Sequence, residues 1–395
     1  MLTFSVSEFQ ERIAKTKERM AAEGMDILLV TDPANMNYLT GYDAWSFYVH
    51  QLLVVMIDED QPYWIGRGLD ANAARYTTWL DEEHILPYAD HYVQSTIRHP
   101  MDFVSDFIRS KKSGNQLIGV ELDAYYFTAQ CYIHLAHGLP DSRFKDATNL
   151  VNRIRIVKSD QEIAYMRKAA KISEKAMQAA FETLNEGVRQ SEVAAAISHA
   201  QIIGTEEFGG DYPSIVPMLP TGEKTSACHL TWTDETFSEG EPVIIELAGC
   251  YKRYHSPLAR TAVVGMPSEE VYQLSEVVIA GIQAALEAVK PGTACEEIEQ
   301  AWRKEITKHG LKKESRIGYS VGLNYPPDWG EHTASLRPGD RTILEPNMTF
   351  HMIPTIDLGH IGMEISESFR VTEDGYETLA KFPRELLIKP NARLA

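Results

Sequence analysis

Val243–Gly265, VIIELAGCYKRYHSPLARTAVVG, decides how this chain is read. β-Branched and apolar runs flank a basic tip, which predicts two strands, VIIELAG and YHSPLARTAVV, joined by a polar turn over Cys250 to Arg253. Strand side chains alternate faces, so Ile244, Glu246 and Ala248 share one face, and His255, Pro257 and Ala259 share one on the partner. A lone carboxylate thus sits among apolar neighbours. Burying it is costly unless it is paired or protonated. Glu246 is therefore expected either to act chemically or to be bridged to Arg260 or Arg253 as a structural acid.

The hairpin resembles the signature of the metallopeptidase family that includes prolidase, aminopeptidase P and methionine aminopeptidase, with creatinase as its non-peptidase relative. That resemblance implies a pita-bread catalytic domain and a set of metal-ligand positions. Glu246 stands at the first ligand Asp, and Pro257, within Tyr254-His255-Ser256-Pro257-Leu258-Ala259-Arg260-Thr261, stands at the second. The ligand His falls on Tyr319 of Gly318-Tyr319-Ser320-Val321-Gly322, one ligand Glu on Ile353, and the last near Ser366. A dinuclear site needs several carboxylates and imidazoles at fixed distances, and Pro257 and Ile353 have no side-chain donor. The expectation is the fold without its metals, and no cofactor.

At 395 residues there is room for two domains, and a net charge of −18 disfavours nucleic-acid or anionic-membrane partners. No apolar run of about 18 residues is present and MLTFSVSEFQERIAK lacks a signal-peptide core, so a cytoplasmic location is expected. Cys131, Cys228, Cys250 and Cys295 are scattered without paired spacing, which argues against a disulfide framework or zinc knuckle.

Helix and strand patterns alternate through the first part, predicting an α/β layer domain over residues 1–155. A capping box at Ser7-Glu8-Phe9-Gln10 opens a helix that Gly24 stops; strands are expected at Asp26 to Thr31, Leu52 to Ile57, Tyr63 to Ile65 and Leu117 to Leu122. Helices are expected at Asp70 to Leu80 and Met101 to Ser110. Asn35-Met36-Asn37-Tyr38-Leu39-Thr40-Gly41 resembles an element of the creatinase and prolidase N-terminal domain. The catalytic domain is placed at 156–395, entered through a long helix with a Ser159 to Glu162 capping box. Two further helices are expected, Ser268 to Val289 and Thr293 to His309, the second opening with Thr293-x-x-Glu296, and strand-rich blocks follow. The overall class is α/β (α+β): a two-domain creatinase/aminopeptidase-P-like chain.

Several residues are candidates beside Glu246. His229, in Ala227-Cys228-His229-Leu230-Thr231, matches a pocket histidine that the peptidases share with creatinase, where it serves as acid and base. Alternation from Ile353 turns His351 toward the same pocket, and alternation from Ser366 does so for Glu364, with Glu367 as the alternative should a bulge intervene. In the loop Gly318 to Glu331, Tyr319, Tyr325 and Trp329 supply flat walls, and Asp328 and Glu331 can face a cation. Arg260, Arg67, His255 and His351 are candidates for a substrate carboxylate; Arg67 sits where creatinase-like proteins reach a neighbouring subunit.

Without a metal to polarise an amide, the fitting substrate carries its own electrophilic carbon, as a guanidinium or amidinium does. The combination of ELAGCYKRYHSPLART, GYSVGLNYPPDWGE and the ligand losses is similar to the ectoine hydrolases of this family. The resemblance implies hydrolysis of the cyclic amidine of ectoine, with hydroxyectoine a second substrate, to N-acetyl-2,4-diaminobutyrate. It also implies a homodimer and, in the same route, a deacetylase acting on the product. Expected roles are Glu246 as nucleophile or base, His229 as proton donor and Glu364 as amidinium partner. Alternatives are a metal-dependent Xaa-Pro dipeptidase, a creatinase-like amidino hydrolase with another substrate, and an inactive pita-bread module that binds a protein or nucleic acid.

Overall fold

The computed structural model describes residues 2–112 and 114–390. Its contacts divide the chain into two compact units, Met1–Arg155 and Ile156–Ala395.

In the first unit, β1 (Ile27–Val30), β2 (Leu52–Met56), β3 (Tyr63–Arg67), β4 (Ile85–Tyr88), β5 (Leu117–Val120) and β6 (Arg143–Asp146) form one sheet in the order β4-β3-β2-β1-β5-β6. β1 and β2 are buried along their whole length, as strands covered on both faces must be. Ile27, Leu29, Val54 and Ile65 join Met101, Val104 and Ile108 of the helix Pro100–Lys111 in one core. The first helix, Val6–Ala22, is capped two residues earlier than expected: Ser5 Oγ accepts the Glu8 N–H at 3.2 Å. The expected helix from Asp70 shortens to Ala71–Thr77, preceded by a 3₁₀ turn at Gly68–Asp70.

In the second unit, β7 (Pro242–Tyr251) and β8 (Tyr254–Val264) pair along their full length from Pro242↔Val263 to Tyr251↔Tyr254. The turn is tighter than the sequence suggests. Only Lys252 and Arg253 remain outside the ladder, at φ 52° and 67°, and two left-handed residues match the twist of paired strands. After the hairpin come β9 (Gly318–Val321), β10 (Gly330–Ser335), β11 (Thr349–Met352), β12 (Ile356–Asp357), β13 (Gly362–Met363), β14 (Glu367–Val371), β15 (Tyr376–Thr378) and β16 (Leu387–Lys389). A second sheet has the order β10-β9-β11-β14-β15, and β16 lies parallel to β8.

The helix Asp160–Thr183 carries the expected box, with Ser159 N–H donating to Glu162 Oε2 at 2.8 Å. It closes on β7 at Gly249, where a Cβ would lie 2.1 Å from the Ala169 carbonyl oxygen. Gly249 N–H instead donates to Ser173 Oγ at 2.7 Å. Helices Glu269–Glu287 and Cys295–Thr307 contribute Val278, Ile282, Ile298 and Trp302 to the core beneath the second sheet. The latter is capped one residue later than the sequence suggests, by Glu297 Oε1 accepting the Ala294 N–H. Among the described residues, no helix is long and apolar enough to cross a membrane.

Candidate active site

β7 presents Glu246 opposite Ala259 of β8. The stretch leading into β14 is tied to the same strand: Ser366 N–H donates to the Ala259 carbonyl at 3.0 Å, and Ala259 N–H donates to Ser366 Oγ at 2.7 Å. Two residues earlier, Glu364 N–H donates to Thr261 Oγ1 at 3.0 Å, and that hydroxyl donates to the Glu364 carbonyl at 2.9 Å. These bonds bring two buried carboxylates together, Glu246 and Glu364, 5% and 1% exposed. Thr355 Oγ1 donates to Glu364 Oε2 at 2.7 Å, while Oε1 has no partner among the described residues.

Burial, then the Glu364 charge and then Asp328, hold the Glu246 carboxyl well above its ordinary range. Burial raises Glu364 to about 7, against the Thr355 hydrogen bond and the nearby Lys313. A carboxyl that keeps its proton to about pH 7 when folded, but loses it near 4.5 when unfolded, makes the folded state the better proton binder between those values. Its contribution to stability is complete below about pH 4.5 and fades as pH rises toward 7. Thermal midpoints followed over this range should fall with rising pH in the native protein and fall less in Glu364→Gln; equal slopes would contradict the assignment.

A chain of hydrogen bonds forms a second wall. Trp329 Nε1 can only donate, so the Tyr319 hydroxyl oxygen accepts from it at 2.8 Å. The hydroxyl then donates to His351 Nδ1 at 3.1 Å, which leaves the imidazole proton on Nε2, facing Ser366 Oγ at 2.8 Å. Burial, helped by Arg316, lowers His351 to about 3, in keeping with a neutral ring. Burial and then the Glu246 charge raise Tyr319, which places its phenol beside that acid. Asp328 also faces this group. Burial works against its charge, yet His332 Nε2 at 2.6 Å and the Gly330 N–H hold the carboxyl below its usual range.

Other candidates are committed elsewhere. Glu331 forms a buried ion pair with Lys158 at 2.6 Å, and Arg260 pairs with Glu367 at 2.9 Å while donating to the Ser366 carbonyl. Glu367, the bulge alternative, therefore answers Arg260, and Glu364 is the acid beside Glu246. His255 is fully buried and accepts the Ser214 N–H on Nε2 at 2.9 Å. Tyr325 is buried beneath the Arg253 guanidinium, 5.5 Å from its ring centre. Arg67, in the first unit, is held by Asp90 at 2.7 Å. His229 is exposed. The residue of its stretch that stands beside the carboxylates is Cys228, whose thiol is raised by burial and then by Glu364 and Glu246.

Sequence reasoning missed Cys228, Lys313, Arg316 and Thr355. Lys313 Nζ donates to the Thr355 carbonyl at 2.7 Å; burial lowers its pKa against the pull of Glu364 and Cys228. The Arg316 guanidinium lies 4.4 Å over the Tyr319 ring. Cys228 adjoins His229 in sequence, a signal that was there to use; Lys313 and Arg316 lie in a polar connection whose pattern singles out neither.

The five positions matched to the family's metal ligands hold Glu246, Pro257, Tyr319, Ile353 and Ser366. Two have no donor, and the Tyr319 and Ser366 hydroxyls are engaged with Trp329, Ala259 and His351. Both nitrogens of His351 are taken as well. This donor set does not fit a pair of metal ions.

Residues 164–373 match the model of metallopeptidase family M24, and residues 12–157 match the creatinase/prolidase N-terminal domain. The chain is 46% identical to an uncharacterized hydrolase/peptidase of Sinorhizobium fredii, over 98% of this chain and 99% of that protein. It is 45% identical to the ectoine hydrolase of Halomonas elongata over the same shares of the two chains. The crystal structure of a prolidase from Thermococcus sibiricus superposes with a TM-score of 0.84 at 22% identity, covering 96% of this chain and 99% of that one. That likeness establishes the two-domain pita-bread fold.

Proposed function

This chain is a hydrolase that belongs to metallopeptidase family M24, and on that premise we propose that it opens the cyclic amidine ring of ectoine to N-acetyl-2,4-diaminobutyrate without a metal ion. The observation that carries the reading is the meeting of Glu246, Glu364 and Asp328 beside the Tyr319 ring in buried surroundings. Acids held together out of water favour a cation, and an amidinium is one that brings its own electrophilic carbon. The full-length likeness to a protein named ectoine hydrolase supports the same substrate, with hydroxyectoine a second one.

In the proposed reaction the bound amidinium restores the ionised forms of Glu246 and Glu364. Glu364 pairs with one amidinium nitrogen. A Glu246 carboxylate oxygen attacks the carbon between the two nitrogens, and the electron pair of the C=N bond moves onto nitrogen. The carbon–nitrogen bond to the other nitrogen then breaks as that nitrogen takes a proton. One water releases the acyl-type adduct, giving the acetamide and regenerating Glu246. The alternative, Glu246 acting as base on the attacking water, consumes the same water without an adduct. Neutral His351 holds Tyr319 in place as a wall. His229, next to Cys228 in the chain, is the proton donor in this account on the strength of the family resemblance. Lys313 and Arg316 are cations beside the cluster that can meet a substrate carboxylate.

Product analysis by proton NMR tests the assignment: a single acetylated diaminobutyrate should accumulate as ectoine disappears, and unchanged ectoine would refute it. His229→Ala is expected to lower kcat about 10²-fold with KM little changed. Steady-state kinetics that leave kcat within twofold would remove His229 from the mechanism.

A further inference from the structure

We propose that the first unit carries a zinc-class metal site formed by His50, His99 and Cys131, apart from the carboxylates of the second unit. The ligand atoms of these three side chains all lie within 4.8 Å of one another. Cys131 Sγ is 3.5 Å from His50 Nδ1. A tetrahedral ion with bonds of ~2.3 Å to sulfur and ~2.0 Å to nitrogen holds those two atoms about 3.5 Å apart. The pair is thus already spaced for a shared ion.

The surroundings hold the ligands as metal sites do. Cys131 sits in the first turn of the helix Ala129–Gly138, its N–H on Thr128 Oγ1. A hydrogen bond to the Tyr126 backbone orients His50. The His99 ring stacks on His134 at 4.5 Å between centres and 14° between planes. Asp102 fastens both residues, accepting from His134 Nδ1 at 2.7 Å and from the His99 backbone N–H at 2.8 Å. His99 Nδ1 accepts the Met101 N–H at 3.2 Å. Ligation through Nε2 moves the ring proton to Nδ1 and gives up that one long bond.

An ion also has a way in. A cavity of about 120 Å³ opens beside the cluster, bounded by His50, His99, Tyr48, Tyr88, Tyr92 and Arg98. It leaves room for water as a fourth ligand. Two imidazoles and a thiolate suit a borderline ion such as Zn²⁺ and not Mg²⁺ or Ca²⁺, which require oxygen. Binding releases the Cys131 thiol proton to solvent as the sulfur–metal bond forms. Because the ligands come from three distant stretches, no short Cys/His spacing announces the site in the sequence. Metal found in the purified protein would then report on the first unit, not on catalysis.

The test uses the full chain, stripped by chelator, dialysed and titrated with Zn²⁺ by calorimetry and with Co²⁺ by absorption. The proposal expects one Co²⁺ per chain with a thiolate-to-cobalt charge-transfer band. Cys131→Ser should abolish the band, and His50→Gln should weaken Zn²⁺ binding at least about tenfold; either variant alone decides if the other does not fold by circular dichroism. Cys228→Ser should keep the band. Absence of saturable binding, binding unchanged in the folded variants, or loss of the band in Cys228→Ser would each overturn the proposal.

Discussion

Glu246→Gln is expected to reduce ectoine turnover by about 10³-fold or more while the protein stays folded. The amide keeps the shape of the carboxyl but can neither attack the amidinium carbon nor take a proton from water. Burial, Glu364 and Asp328 all oppose the native charge at this position, so its removal also relieves strain between acids. The variant should therefore unfold at a higher temperature than the native protein at pH 8, where the native acids are driven toward ionisation. Parallel kinetics and thermal unfolding check both halves. Retained turnover would exclude Glu246 as nucleophile and as base; lost turnover with a lowered midpoint would mean that the acid is structural.

Glu331→Ala should damage the fold and not the chemistry. Lys158 and Glu331 side chains are 0% and 1% exposed and 2.6 Å apart. Deleting the carboxylate removes the ion-pair partner of a buried ammonium group that also donates to the Ile156 carbonyl at 3.1 Å, and breaking such a pair costs about 3–5 kcal/mol. Replacing both residues with apolar ones of similar volume should recover most of that loss, because a buried pair is offset by the cost of desolvating it. Urea unfolding of the single and double variants measures the difference. A single variant of native stability with a raised KM would return Glu331 to substrate binding.

These two acids show what could be read from the sequence and what could not. The setting of Glu246 was legible because it is local: a period-two strand in a hairpin that pairs along its full length. The entry to the long helix was legible for the same reason, since Ser159 and Glu162 cap each other within one turn. Family membership and the pita-bread fold were carried by motifs lying in those same segments. Glu331 and Asp328 share one loop and looked equivalent. The pairing of β9 with β10 shifts register between Gly330 and Ser335, and His332 takes a left-handed φ of 57°. Asp328, ahead of the shift, serves the cluster, while Glu331, within it, meets Lys158, a partner from the far end of the unit. Lys313 and Arg316 were illegible for a related reason. Gly362 lets β13 close on the turn at Gly222–Ser226, where a Cβ would lie 2.0 Å from the Thr225 carbonyl oxygen. Contacts of that kind come from packing distant segments together, and no sequence period encodes them.

The central claim is amidine hydrolysis without a catalytic metal, and one assay addresses it directly: ring opening of ectoine by the chelator-treated full chain, with an Xaa-Pro dipeptide followed in parallel. The account predicts undiminished ectoine turnover and an untouched dipeptide. Loss of ectoine turnover that manganese or cobalt restores, together with dipeptide cleavage, would contradict it.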